Sequence, residues 1–141
     1  MTNRQMAEII RQQEPLTMTR DTSVQEACKR MHARKIGAVL VTDSKGRLVG
    51  IFTGRDAVRA LALARDPVET QLKDMMTKNP TTMPPGCRAI EALRLMRDGG
   101  FRHLPVVDAA GRLHGVVSRG DFRGLEQDRL DEETGYWERI A

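Results

Sequence analysis

The chain has 141 residues, 40% of them hydrophobic, enough for one compact domain with a core and too few for two large ones. No apolar run approaches the roughly 20 residues that span a bilayer, and the first residues lack a secretion signal's apolar stretch, so a soluble, cytoplasmic protein with no membrane partner is expected. The net charge of +4 is uneven: residues 126–141 hold six carboxylates and two arginines, −4 in all, which leaves +8 on residues 1–125. Such a body suits nucleic acid, a membrane surface or phosphorylated small molecules, and composition does not choose among them.

In chain order, a short apolar lead-in, Met6-Ala-Glu-Ile-Ile10, precedes Pro15 and Thr17-Met18. Val24, Ala27, Cys28 and Met31 then recur at helical spacing. Ser23 followed by Glu26 is a capping-box signature, which predicts a helix over about 23–33. The β-branched run Ile36–Val41 reads as a strand, Asp43-Ser-Lys-Gly46 as a turn and Arg47–Thr53 as the returning strand of a hairpin. Gly54–Ala64, rich in alanine and leucine, reads as a second helix.

The same order then repeats. A shift of 65 residues aligns 15–56 with 80–121 without a gap, and 13 of the 42 positions are identical, among them Thr17/Thr82, Met18/Met83, Met31/Met96, Gly50/Gly115 and Asp56/Asp121. Chance predicts roughly two or three, so the chain is a duplication. With a one-residue slip, the lead-in aligns with Leu72-Lys-Asp-Met-Met76. In the second copy Ala89, Ile90, Leu93 and Met96 mark the helix, Gly99-Gly100 its stop, and Phe101–Val107 and Arg112–Ser118 the hairpin. Gly120–Leu130 is a weaker closing helix. The fold class is mixed α/β (α+β): two pseudo-twofold repeats, each strand–helix–strand–strand–helix, packed sheet to sheet because one copy has too little core alone. The segments are 1–66, 67–125 and an acidic tail, 126–141.

The two cysteines, Cys28 and Cys87, read as small side chains in or beside helices, with no disulfide expected. His32, His103 and His114 have no ligand spacing, so no metal site is expected. No nucleophile triad, carboxylate pair or hydrolase-type glycine-rich phosphate loop appears, so no catalytic residue and no enzyme activity are expected.

The segments most suggestive of binding are Gly50-Ile-Phe-Thr-Gly-Arg-Asp56 and Gly115-Val-Val-Ser-Arg-Gly-Asp121. Each puts a hydroxyl at a strand end and an aspartate three residues on, at a helix start. A hydroxyl and backbone N–H groups there can hold phosphate, and a carboxylate can accept from two vicinal ribose hydroxyls. The plainer reading is that Thr53 and Ser118 cap helices whose dipoles Asp56 and Asp121 favour. Recurrence at the same place, with a glycine three residues before each hydroxyl, weighs toward binding.

Taken together, Thr-Met-x₅-Val-x-Glu-Ala-x₃-Met, an apolar strand, Asp-x₂-Gly-Arg-Leu-x-Gly and the closing Thr/Ser-x-x-Asp resemble the repeat of the cystathionine β-synthase (CBS) domain family, over about 15–60 and 80–125. The resemblance implies a non-catalytic regulatory module with two clefts between the repeats that accept AMP, ADP or ATP, or NAD or S-adenosylmethionine, with no cofactor required. It further implies that Asp56 and Asp121 bind ribose hydroxyls, that Thr53 and Ser118 lie at the ribose or phosphate, and that Thr17, Met18, Thr82, Met83, Ala38, Val39, Leu40, His103, Leu104 and Pro105 flank the base. Arg55 and Arg119, with Arg20 and Arg102, are candidates for phosphate contacts. Arg55 follows the glycine of its motif whereas Arg119 precedes it, so the two sites are expected to differ in ligand preference. The resemblance also implies a homodimer, and without an attached catalytic domain the regulated protein is a separate one.

Two other functions compete. A nucleic-acid binder fits the +8 body, but aromatics are only 4% and no helix-turn-helix or RNA-stacking signature appears. A structural adaptor with empty clefts fits the same fold. The tail carries the chain's only Tyr and Trp, Tyr136 and Trp137, as a docking segment for a partner or as a segment folded onto its own domain.

Overall fold

The computed structural model describes residues 4–122. Its elements are α1 (Met6–Ile9), β1 (Thr17–Met18), α2 (Val24–Arg34), β2 (Ala38–Thr42), β3 (Leu48–Thr53), α3 (Gly54–Ala62), α4 (Leu72–Met75), β4 (Thr77–Lys78), α5 (Ala89–Gly99), β5 (His103–Val107), β6 (Leu113–Ser118) and a 3₁₀ turn, Arg119–Asp121. Where the closing helix Gly120–Leu130 is expected to begin, the chain instead makes that 3₁₀ turn and leaves it at Phe122 in extended backbone; the rest of the expected helix and the acidic tail lie outside the described residues.

Local chemistry places the ends of these elements. Ser23 Oγ accepts from Glu26 N–H at 3.1 Å, so α2 begins one residue after its cap. Lys35 closes α2 in the left-handed region, φ 54°, and this pushes the following strand to Ala38, two residues later than the apolar run suggests. Gly100, φ 71°, closes α5 in the same way, where glycine carries no Cβ penalty. In the first hairpin Asp43 Oδ1 accepts from the N–H groups of Lys45 and Arg47, the side-chain turn that aspartate makes well.

The chain separates into two compact units, which cut across chain order. One comprises 4–13, 82–108 and 114–122 of the described residues, the other 14–81 and 109–113. The N-terminal lead-in therefore packs with the body of the second repeat, and the lead-in of the second repeat packs with the body of the first.

The bonds that make this exchange are the same in both units. Ala89 N–H donates to Arg4 O at 2.7 Å and Met6 N–H to Cys87 O at 2.8 Å. Val24 N–H donates to Thr70 O at 2.9 Å and Leu72 N–H to Thr22 O at 2.8 Å. The side chains follow the backbone. Met6 and Ile10 join the core of Leu93, Met96, Leu104, Val106 and Val117, while Leu72 and Met75 join that of Leu16, Val24, Met31, Val39, Val41 and Phe52.

The glycines ahead of the hydroxyl residues serve this packing. A Cβ on Gly50 would lie 2.5 Å from Met76 Sδ, and one on Gly115 would lie 2.8 Å from Ile10 Cβ. Met76 and Ile10 are the equivalent last residues of the two lead-ins, so the glycines admit the exchanged segment rather than a ligand.

The two sheets differ for identifiable reasons. In the first repeat β1 pairs parallel with β2, Met18 opposite Val41, and β4 extends the sheet beyond β3 to four strands. In the second repeat Met83 meets Val106 as a single parallel bridge beside the two-stranded β5–β6 sheet. Leu40 N–H donates to Leu16 O at 2.9 Å. Its counterpart is Pro105, which has no N–H, so the ladder cannot extend. On the other side, Gln13 Oε1 accepts from Val116 N–H at 3.0 Å, a side chain standing where β4 stands in the first repeat.

Gly115→Ala is expected to lower stability by about 1–3 kcal/mol, as overpacking does, and by more than Gly50→Ala, because the Ile10 Cβ is fixed to the backbone whereas the Met76 thioether can turn aside. Urea unfolding of the two variants checks the size and the order.

Candidate functional site

In the first repeat, strand register brings the hydroxyl, the carboxylate and the small strand residues to one end of a sheet. Ala38 lies opposite Thr53, and Leu40 lies between Thr17 and Ile51. Thr53 ends β3 and caps α3. Asp56, in the first turn of α3, turns back so that its Oδ2 accepts from Thr53 N–H at 2.9 Å and from the Thr53 hydroxyl at 3.3 Å. Asp56 is buried, and its Oδ1 lies 3.8 Å from Arg59 Nη2. Arg59 was not singled out by motif reading, although its place three residues after Asp56 on a helix is the signal that finds it. Arg55 is exposed at the helix start.

The second repeat repeats the corner. Asp121 Oδ2 accepts from Ser118 N–H at 2.7 Å and from the Ser118 hydroxyl at 3.3 Å, and Arg4 donates to Asp121 O at 3.0 Å. Asp121 and Arg119 are exposed. The capping reading of Thr53 and Ser118 is thus realised through the aspartates, in both copies. It does not use up the carboxylates: among the described residues Oδ1 of each accepts no hydrogen bond, so a carboxylate oxygen held in place by its sister atom is available to a hydroxyl donor.

Strand alternation divides the remaining candidates. Val39 and Leu104 turn into the two cores, and Met83 is a core residue with Met18 packed partly against the other core. Their side chains hold the sheets together; Ala38, Leu40 and Pro105, which alternate with them along the strands, are buried as well, and His103 is half-buried. Thr17 is exposed and Thr82 half-buried.

His103, at the start of β5, stands where the first repeat has Ala38. Burial lowers its pKa, with Arg102 lowering it further and Asp121 opposing both. Burial also pushes the thiols of Cys28 and Cys87 up, with Glu91 adding to the effect at Cys87, so both stay protonated and weakly reactive. Among the described residues no three His, Cys, Asp or Glu side chains form a metal-binding group, and no helix is long and apolar enough to cross a membrane.

Because the folded protein disfavours the His103 imidazolium, the stability this group contributes is complete above its unfolded pKa of roughly 6.5 and declines as pH falls from there toward the lower folded value. Thermal unfolding between about pH 7.5 and 5 is expected to fall less steeply for His103→Gln than for the parent chain; parallel profiles would remove the imidazole from the account.

Comparison with known proteins places this geometry. The CBS domain family model matches residues 7–63 and 72–127. The Arabidopsis thaliana CBS domain-containing protein CBSCBSPB2 is 45% identical over 100 residues, 70% of this chain and 19% of that protein, so the chain spans about a fifth of the length of that relative. Among solved structures, the CBS-domain containing protein ATU1752 from Agrobacterium tumefaciens superposes with a TM-score of 0.75 and 34% identity over 89% of this chain and 98% of that one. The CBS domain pair of protein MJ0100, solved with 5′-methylthioadenosine and S-adenosyl-L-methionine, superposes with a TM-score of 0.77 and 26% identity over 93% and 98%. With both repeats matched, each with its strand–helix–hairpin body, the chain belongs to the CBS domain family as a tandem pair of its repeats.

Proposed function

We propose that the chain is a non-catalytic regulatory module that binds adenosine-containing nucleotides at its two Thr/Ser-x-x-Asp corners, in the clefts that the family resemblance implies, and signals to a separate partner protein. The observation that carries this reading is the paired corner. In both repeats the carboxylate is fixed through Oδ2 to the backbone and hydroxyl of the strand end, while Oδ1 accepts no hydrogen bond among the described residues and, in the first repeat, lies 3.8 Å from Arg59 Nη2. A pre-positioned acceptor suits a ribose diol, since little ordering remains to be done on binding. The MJ0100 pair, crystallised with two adenosine derivatives, supports adenosine as the shared part of the ligand. Arg55 and Arg119, at the helix and 3₁₀ starts, stand where a phosphate would meet both guanidinium and backbone donors.

The reading includes a homodimer, a cytoplasmic setting and a division of labour between segments 1–66 and 67–125. Regulation requires that the nucleotide bind one conformation better than another. α3 is the element through which this would act, because Asp56 would hold the ligand from its first turn. An adaptor with empty clefts is the competing reading.

Titration calorimetry with AMP, ADP, ATP, NAD and S-adenosylmethionine separates them. Saturable binding is expected, with Asp56→Ala and Asp121→Ala each weakening one site at least tenfold. At a hundredfold excess over Kd the bound ligand should add about 2.7 kcal/mol to unfolding stability. No heat with any of the five ligands at high protein concentration would leave the adaptor.

A further inference from the structure

An arginine joins each candidate corner to the exchanged lead-in that its own unit buries, and the two copies make the link from opposite sides. In the first repeat the arginine belongs to the corner. Arg59, one turn after Asp56 on α3, donates from Nη2 to Met75 O at 2.7 Å, and the same Nη2 lies 3.8 Å from Asp56 Oδ1. Met75 ends α4, where a carbonyl has no donor within its own helix, and the guanidinium supplies one. In the second repeat the arginine belongs to the lead-in: Arg4 donates from Nη2 to Asp121 O at 3.0 Å. Sixty-five residues on from Arg59 the sequence has Gly124, which carries no side chain for the first repeat's version of the link.

The Arg59 contact depends on the lead-in being docked. Met75 is buried, Met76 fills the space in front of Gly50, and Thr77 and Lys78 pair with Ile51 and Gly50. Met75 O therefore moves only with residues 72–78 as a whole. At the other end, Thr53 fixes the Asp56 carboxylate through Oδ2 alone. A guanidinium held 3.8 Å from Oδ1 favours the orientation that turns this oxygen toward the cation. It makes no hydrogen bond at that distance, so a hydroxyl arriving at Oδ1 adds to the arrangement and does not displace the arginine.

We propose that Arg59 is a positioning residue through which a nucleotide at the Asp56 corner and the docking of residues 72–78 strengthen each other. This rests on the adenosine reading above and names a regulation of that site. By linkage, the factor that docking adds to affinity is the factor that the nucleotide adds to docking. Residues 72–78 run on into the body of the second repeat, so the segment that responds to the first corner is the one that begins the next repeat.

Hydrogen exchange of the full chain, with and without the tightest binder among AMP, ADP, ATP, NAD and S-adenosylmethionine, tests the coupling; Asp121→Ala throughout leaves the first corner to report alone. Without ligand, Arg59→Met should speed exchange over 72–78 several-fold and leave α5 unchanged, with Arg59→Lys, which keeps a cationic donor, in between. With saturating ligand, 72–78 should gain protection. In Arg59→Met the gain should vanish and affinity should fall about tenfold. The ligand's 2′-deoxy analogue, which withdraws a hydroxyl from Oδ1, should bind without the gain. No binding by any of the five ligands removes the adenosine reading and this coupling with it. Binding that leaves 72–78 unchanged, or a gain that survives Arg59→Met, overturns the coupling and leaves the adenosine reading standing.

Discussion

Each repeat's first helix begins with backbone donors that its own sequence cannot satisfy, and the rest of the structure follows from where those donors find partners. Val24 N–H and Ala89 N–H, at the first positions of α2 and α5, reach carbonyls of the lead-in that chain order assigns to the other repeat, Thr70 O and Arg4 O. An unpaired buried N–H is costly, so the lead-ins are part of the helix starts rather than appendages. They also bring Met6 and Leu72 to full burial. Neither repeat is complete as a continuous stretch of chain, and this explains physically why a unit of about 60 residues occurs here as a pair.

On this shared frame the two copies have diverged. Proline at position 105 removes one backbone donor and with it the parallel ladder that the first repeat keeps at Leu40. Asp56 is buried beside Arg59, whereas Asp121 is exposed. Ala38, without a polar group, is answered by His103 with a depressed pKa. The result is two corners with one hydrogen-bond geometry in two electrostatic settings.

Much of this was legible in the sequence. The duplication, the helices α2, α3 and α5 and two of their ends followed from residues with local effects: Ser23 before Glu26, and Gly100 at a left-handed helix end. The hairpins followed from Asp43 and Asp108 with glycines three residues on. What was not legible is partnership. The periodicity of Met6–Ile10 and Leu72–Met76 shows that each lead-in has an apolar face, but period alone does not say which body buries it. The same limit misplaced the meaning of Gly50 and Gly115, whose spacing to the hydroxyls looks like part of a binding motif and whose space is filled by Met76 and Ile10. Within the candidate site, spacing found Thr53, Asp56, Ser118 and Asp121. It could not separate Val39 and Leu104, which face the cores, from Ala38 and His103 beside them, because strand alternation has no absolute phase until one residue's face is known.

The central structural claim is the exchange of lead-ins, and native-state hydrogen exchange on Leu72→Ala tests it most directly. The truncation removes a fully buried side chain and should cost about 2–5 kcal/mol. Protection should be lost first and most strongly over 16–62, in α2, β2 and β3, although Leu72 belongs by sequence to the second repeat. Loss concentrated in α5, β5 and β6, with 16–62 still protected, would contradict it.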